Sequence, residues 1–258
     1  ANVTALSTTF QRVQNHIGMA IYVRDGELSL DGCNIVGHYS VSNSAIMVMG
    51  GMHSKVVNSC FNHNSSQERS GDIEISKTEV FTIKESYFYR HDEHSWGRVG
   101  VYGSLKMDID GITFHSVAHG DPKCSPTNAQ TVSQSPLSLS PLHIEGVKEV
   151  SVVNLEAQNT AGLQSGAITA VNGGSQSSFT LSKSLMSKCR SENHGGAVSC
   201  VNYSNFRIQS CHFHRNQAAK VGGAVYHRCS DSHDGSCETI STGSYFEENT
   251  ANIEGLAL

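Results

Sequence analysis

Apolar residues along this chain recur two apart and nowhere hold a convincing helical spacing. The clearest pairs are Leu28/Leu30, Phe81/Ile83, Met107/Ile109, Phe179/Leu181 and Phe206/Ile208, each split by one polar residue. A second series runs Ile21/Val23, Ile46/Val48, Ile73/Ile75, Val99/Val101, Leu137/Leu139, Ile168/Ala170 and Val198/Cys200. Period two predicts strands with one buried face. The segments are short, rich in β-branched residues and bounded by Gly, Asn, Ser and Asp, as strands are.

The strand pairs lead up to a single apolar anchor that repeats. Its column reads Ile35, Phe61, Phe88, Phe114, Leu155, Met186, Phe213 and Phe246, with neighbours 26 to 41 residues apart and most at 26 or 27. Val56 and Val150 keep only the nearer of the two preceding apolar positions. A propeller blade repeats at roughly 40–50 residues and a leucine-rich repeat spaces its leucines differently. The remaining architecture is all-β: a parallel β-helix, or solenoid, of about eight coils stacked about 4.8 Å apart. Like residues then lie above one another, so the phenylalanines predict an interior aromatic stack. The chain reads as one domain, 1–258, interrupted by a loop insertion at 116–136.

The last coils add a motif. Gly195-Gly196-Ala197-Val198 is followed by Phe213-His-Arg-Asn216, and Gly222-Gly223-Ala224-Val225 by Phe246-Glu-Glu-Asn249. Glycine suits a tight corner with positive φ, alanine a narrow interior place, and asparagine a left-handed turn. Partial copies stand at Phe61–Asn64 and Gly166–Ile168. The combination resembles the repeat of the chlamydial polymorphic membrane proteins, which also occurs in secreted proteins of some protists. That resemblance implies a right-handed β-helix, surface exposure and an adhesive or structural role. The bacterial family also ends in an outer-membrane barrel, which this sequence does not contain.

Composition narrows the partners. The formal net charge of −5 is too small and of the wrong sign for nucleic acid or an anionic membrane surface. No stretch approaches the roughly 18 apolar residues of a membrane span. The repeat is still running at both ends, so we expect a segment of a longer chain, with end-to-end or lateral self-association, other protein partners or glycans as its contacts.

Eight cysteines in a turn-rich chain predict disulfides and an extracellular or cell-surface setting. Cys33 and Cys60 stand near the same place in consecutive coils, Cys229 and Cys237 flank a short polar loop, and Cys124 finds Cys189 by elimination. Cys200 and Cys211 complete the set. There is no Cys-x-x-Cys, so neither zinc nor another cofactor is expected. Asn2, Asn64 and Asn202 begin glycosylation sequons, although Asn64 is also a repeat asparagine with a place inside the stack.

Chemistry has one focus. His63, His91, Asp92, Glu93, His94, His115 and His119 follow the anchor in successive coils, and stacking would gather them on one flank near Asp121. Carboxylates beside histidines serve acid–base or metal chemistry; a solvated polar flank has the same composition. Other histidines, such as His212, His214 and His227, fall singly on strands as surface or coil-lining residues. A pectate-lyase-like or galacturonase-like enzyme would need clustered aspartates. The nearest pairs here, Asp108/Asp110 and Asp72/Glu74, alternate with inward residues and so belong to a solvated outer face. A carbohydrate-binding module would need exposed aromatics, for which Tyr89, Trp96 and Tyr102 are available. The reading carried forward is a non-enzymatic, extracellular structural or adhesive β-helix, with a polysaccharide-processing enzyme or a carbohydrate-binding module as the alternatives.

Overall fold

The computed structural model describes residues 2–11, 19–62, 64–66, 70–89, 98–115, 140–229 and 237–253. Every regular element among them is a strand, and every strand pairing is parallel, in a β-solenoid of about seven turns. One ladder of nine short strands carries the anchor column from Phe10 through Phe246. The strands before it form two further runs, which merge where Ile168–Ser182 and Val198–Gln209 continue through the corner between them.

Parallel stacking explains the columns, because a residue's nearest neighbours are its counterparts one coil away. Phe61 stacks on Phe88 at 4.8 Å between ring centroids, Phe88 on Phe114 at 5.1 Å, and Phe213 on Phe246 at 4.8 Å. All of these rings except Phe246 are fully buried. Each such ring stabilises the fold by about 1.5–3 kcal/mol through its removal from water.

The fifth coil departs from the expected register. Phe114 pairs with Ala157, not Leu155, and Ala157 pairs in turn with Met186. Leu155 and Ala157 both point inward, and the larger one only looks like the anchor. With that shift, Val150 and Val152 supply both preceding apolar positions, opposite Phe179 and Leu181. Likewise Leu142/Ile144, not Leu137/Leu139, continue the first-strand column between Val99/Val101 and Ile168/Ala170. Leu137 and Leu139 lie outside the described residues. Val3–Leu6 and Thr9–Gln11 add an earlier coil, paired to Leu28–Asp31 and Asn34–Val36.

Three residues before each anchor the chain turns through positive φ: Ser7, Gly32, Asn58, Glu85, Gly111, Asn154, Lys183, Ser210 and Gly243. Only three of these nine are glycine, so the ladder itself imposes the conformation. The amides of the first eight donate to carbonyls of the next coil at 2.8–3.1 Å, carrying the ladder round the corner.

One expectation about the motif is corrected and one is refined. The left-handed residue after the anchor is the one before the asparagine, as at Arg215 and Glu248, with Gly37, Asn159 and Lys188 in the same place of other coils. The asparagine instead reaches back to the preceding coil. Asn216 Nδ2 donates to Met186 O at 3.0 Å, and its Oδ1 accepts from Cys189 N at 2.9 Å. Asn249 repeats this on Phe213 O and Asn216 N, and Asn64 on Ile35 O and His38 N. Each amide therefore satisfies two buried backbone groups at a bend, where the ladder cannot. The glycines also divide the work: Gly195 and Gly222 take positive φ, whereas a Cβ on Gly196 would overlap the carbonyl oxygen of Gly223. Behind them, Ala167, Ala197 and Ala224 stack fully buried.

Candidate functional site

Of the histidine flank, His63, His91, Asp92, Glu93, His94 and His119 lie outside the described residues, as do Trp96, Asp121, Cys124 and the 116–136 insertion. His115 is described: it ends the strand Thr113–His115, half-buried, and its carbonyl accepts from Arg98 Nη2 at 2.9 Å.

Arg98 and Asp72 occupy the alanine column. The backbone of this column connects Ala20 to Ala45, Asp72 to Arg98, Arg98 to Pro141, and Ala167 to Ala197 to Ala224. Both charged side chains are buried where Ala45, Ala167, Ala197 and Ala224 carry a methyl group. Arg98 Nη1 donates to the carbonyl of anchor Phe88, and the guanidinium lies 5.8 Å from the centre of the Phe114 ring. Burial pushes its pKa down to about 10, partly offset by the nearby charge of Asp72, so it stays cationic at neutral pH. Asp72 Oδ1 accepts from Asn64 Nδ2 at 2.8 Å. The expected solvated outer face for Asp72 and Glu74 is thus wrong, since they are 0% and 3% exposed. Asp72 precedes its strand and occupies the narrow corner. Glu74 does point away from Ile73 and Ile75, but the face it shares with Met47, Gly100, His143, Thr169 and Ser199 is shielded from solvent over six coils. Arg98 and Asp72 are thus buried, charge-compensated and hydrogen-bonded to neighbouring segments of the coil. Asp108 and Asp110 are half-exposed and engaged by Lys106 and Asn154.

The aromatic platform proposed for sugars is not assembled by the described residues: Tyr89 is buried, and Tyr102 is half-buried against the His143 ring at 5.7 Å. Among the sequons, Asn2 is exposed, with Oδ1 accepting from Glu27 N. Asn202 is half-buried at a corner and donates to Asn172 Oδ1 at 3.3 Å. Asn64 is fully buried with Nδ2 donating twice, so in the folded chain it is a clamp and cannot carry a glycan.

The cysteines sort by position in the coil. Cys229 and Cys237 form the expected local disulfide. Cys33, Cys189, Cys200 and Cys211 are free and buried. Cys60 is disulfide-bonded, but not to Cys33. Cys33 precedes its anchor by two residues and points inward; Cys60 precedes its own by one and points outward, and a one-residue offset on a strand reverses the face. Cys33 and Cys211 share a column with Ser59, Ser86, Ser184 and Ser244. Like those serines, they donate to the carbonyl two residues back. Cys189 stands in the asparagine column, its thiol directed at Ala157 O at 3.5 Å, and so is not the partner of Cys124. Burial raises its pKa to about 11, which keeps it a protonated, unreactive thiol.

Two clusters escaped the sequence reading. His212 and His214 flank anchor Phe213, and Glu247 pairs with His214 in the next coil. Glu247 Oε2 stands 3.5 Å from His212 Nε2 and 3.2 Å from His214 Nδ1. The register that aligned Phe213 with Phe246 already placed these side chains together, since residues one beyond stacked anchors are neighbours on the outer face. The second cluster is His227 with the Cys229–Cys237 disulfide; its Nε2 donates to Tyr203 O at 3.1 Å. No helix among the described residues is long and apolar enough to cross a membrane. No known protein family, curated protein or solved structure matches this chain.

Proposed function

We propose that this chain is a non-enzymatic structural or adhesive β-solenoid segment of an extracellular or surface protein, with a repeat of the chlamydial polymorphic membrane type. The observation that supports it is where the polar side chains go. Anchor after anchor, His38, Asn64, Cys189, Asn216 and Asn249 are used to tie one coil to the one before. The sequence invests its buried amides, thiols and hydroxyls in length and rigidity, about 4.8 Å per coil. The exposed outer faces and turns are left as contact surface, as in other solenoids. The Cys229–Cys237 disulfide and exposed Asn2 fit an oxidising, glycosylating compartment. Purified protein should be presented to immobilised uronate and neutral polysaccharides, to extracellular matrix and to itself, with and without calcium. Binding or self-association without turnover is the expected result. Release of reducing ends or unsaturated uronates would overturn the reading in favour of a polysaccharide-processing enzyme.

A further inference from the structure

We infer that His212, His214 and Glu247 form a binding site for a divalent transition metal ion, with zinc the best-fitting occupant. The argument begins with strand geometry. In His212-Phe213-His214 the phenyl ring points into the core, so both imidazoles must point out of the same face. Parallel pairing then sets Glu247 beside His214 and Tyr245 beside His212. The two backbones are held at ladder spacing, and stacked Phe213 and Phe246 fix their register from within. Three donors on two locked strands form a pre-organised set of the kind metal sites need.

The donor atoms suit the ion. His212 Nε2, His214 Nδ1 and a Glu247 carboxylate oxygen all lie within 4.8 Å of one another. Zinc binds imidazole nitrogen and carboxylate oxygen at roughly 2.0–2.2 Å, so tetrahedral ligands stand roughly 3.3 Å apart. Small side-chain rotations therefore complete the shell without moving the backbone. Two imidazoles and a carboxylate favour zinc, copper or nickel over calcium or magnesium, which prefer all-oxygen shells. A second observation points the same way. His214 Nδ1 is shielded from water yet makes no hydrogen bond, even though Glu247 Oε2 is 3.2 Å away. A shielded nitrogen without a hydrogen-bond partner is costly unless something else engages it, and an ion between it and the carboxylate would do so. Three protein ligands leave at least one coordination position for water.

This site adds to the proposed structural role and does not depend on it. The test is zinc titration by calorimetry, with cobalt as a spectroscopic probe, on the oxidised protein, in which Cys229 and Cys237 are unavailable as thiolates. Wild type should take up zinc in a step that weakens at least about tenfold in His214→Ala and in Glu247→Gln, a loss in the range typical of damaged metal sites. Cobalt should give a tetrahedral ligand-field spectrum that disappears in the same variants. All three side chains lie on the outer face, so circular dichroism and the thermal melt of metal-free variants should match wild type, separating a lost site from a lost fold. His194→Ala, which alters a histidine stacked on Tyr226 elsewhere on the surface, should leave the step unchanged. Absence of zinc uptake by wild type, or an isotherm unaltered in the His212→Ala/His214→Ala/Glu247→Gln variant, would overturn the proposal.

Discussion

Between Met186 and Asn249 the solenoid meets its interior demands with neutral groups: stacked alanines at the corner, asparagine clamps after the anchor, and phenyl on phenyl within. In the third and fourth coils the same alanine column holds Asp72 and Arg98, and the carbonyl of anchor Phe88 is satisfied by a guanidinium. The backbone path hardly changes, because the ladder bonds run through both regions. What differs is the tolerance for error. A neutral clamp that is removed exposes a backbone dipole; a buried charge that loses its counter-charge is left in a low dielectric. The corner can thus be built in two ways, and the charged one is the more fragile.

Removing a stacked ring should do the most damage to the neutral region. Phe213→Ala is expected to cost about 3–5 kcal/mol, read from urea unfolding, as a fully buried aromatic deletion. In the charged region Arg98→Ala should lose a similar amount, about 3–5 kcal/mol, because Asp72 stays buried without its partner. The Asp72→Ala/Arg98→Ala double variant restores the residue found at Ala45, Ala167, Ala197 and Ala224. It should recover part of that loss, and a double variant less stable than the single would show that the pair is not a substitute for two methyls. Asn216→Ala strands Met186 O and Cys189 N, and about 1–3 kcal/mol is expected. A denaturant midpoint equal to wild type would remove the clamp from the account.

The smallest effect concerns His38, which fills the asparagine column with Nε2 donating to anchor Phe10 at 3.1 Å. Burial holds its pKa below the ordinary histidine value despite the Phe10 hydrogen bond and the charge of Asp72. The unfolded chain therefore binds the proton first. Stability is constant above about pH 6.5 and is lost as pH falls below that toward the folded-state value. Burial also lowers the pKa values of His143 and His227, so the acid slope is shared. His38→Asn supplies the side chain used at Asn64, Asn216 and Asn249, and should make the melting temperature fall less steeply below pH 6.5. An unchanged slope would mean that His38 is not among the groups taking up protons.

Strand positions were legible because a half-buried strand must alternate, and the repeat was legible because stacked coils ask for the same residue again. Where two inward residues lie on one strand, size is a poor guide to which is the anchor, as Leu155 and Ala157 show. Nor does an approximate column settle a disulfide: Cys33 and Cys60 differ by one place and so face opposite ways. Arg98 and Asp72 could not be read as a pair, since nothing in alternation marks a charged residue as interior when it sits just ahead of a strand. His212, His214 and Glu247 were within reach of the sequence once Phe213 and Phe246 were aligned. A histidine taken singly on a strand carries no such signal; only the aligned pair of strands does.

The clamps have a direction. His38 bonds back to Phe10, Asn64 to Ile35, Cys189 to Ala157, Asn216 to Met186 and Asn249 to Phe213. In all five, the later coil supplies the side chain that completes the earlier one. A chain emerging from its N-terminus during synthesis therefore finishes each coil only when the next has arrived. The youngest coil is always the loose one, and elongation itself acts as the latch.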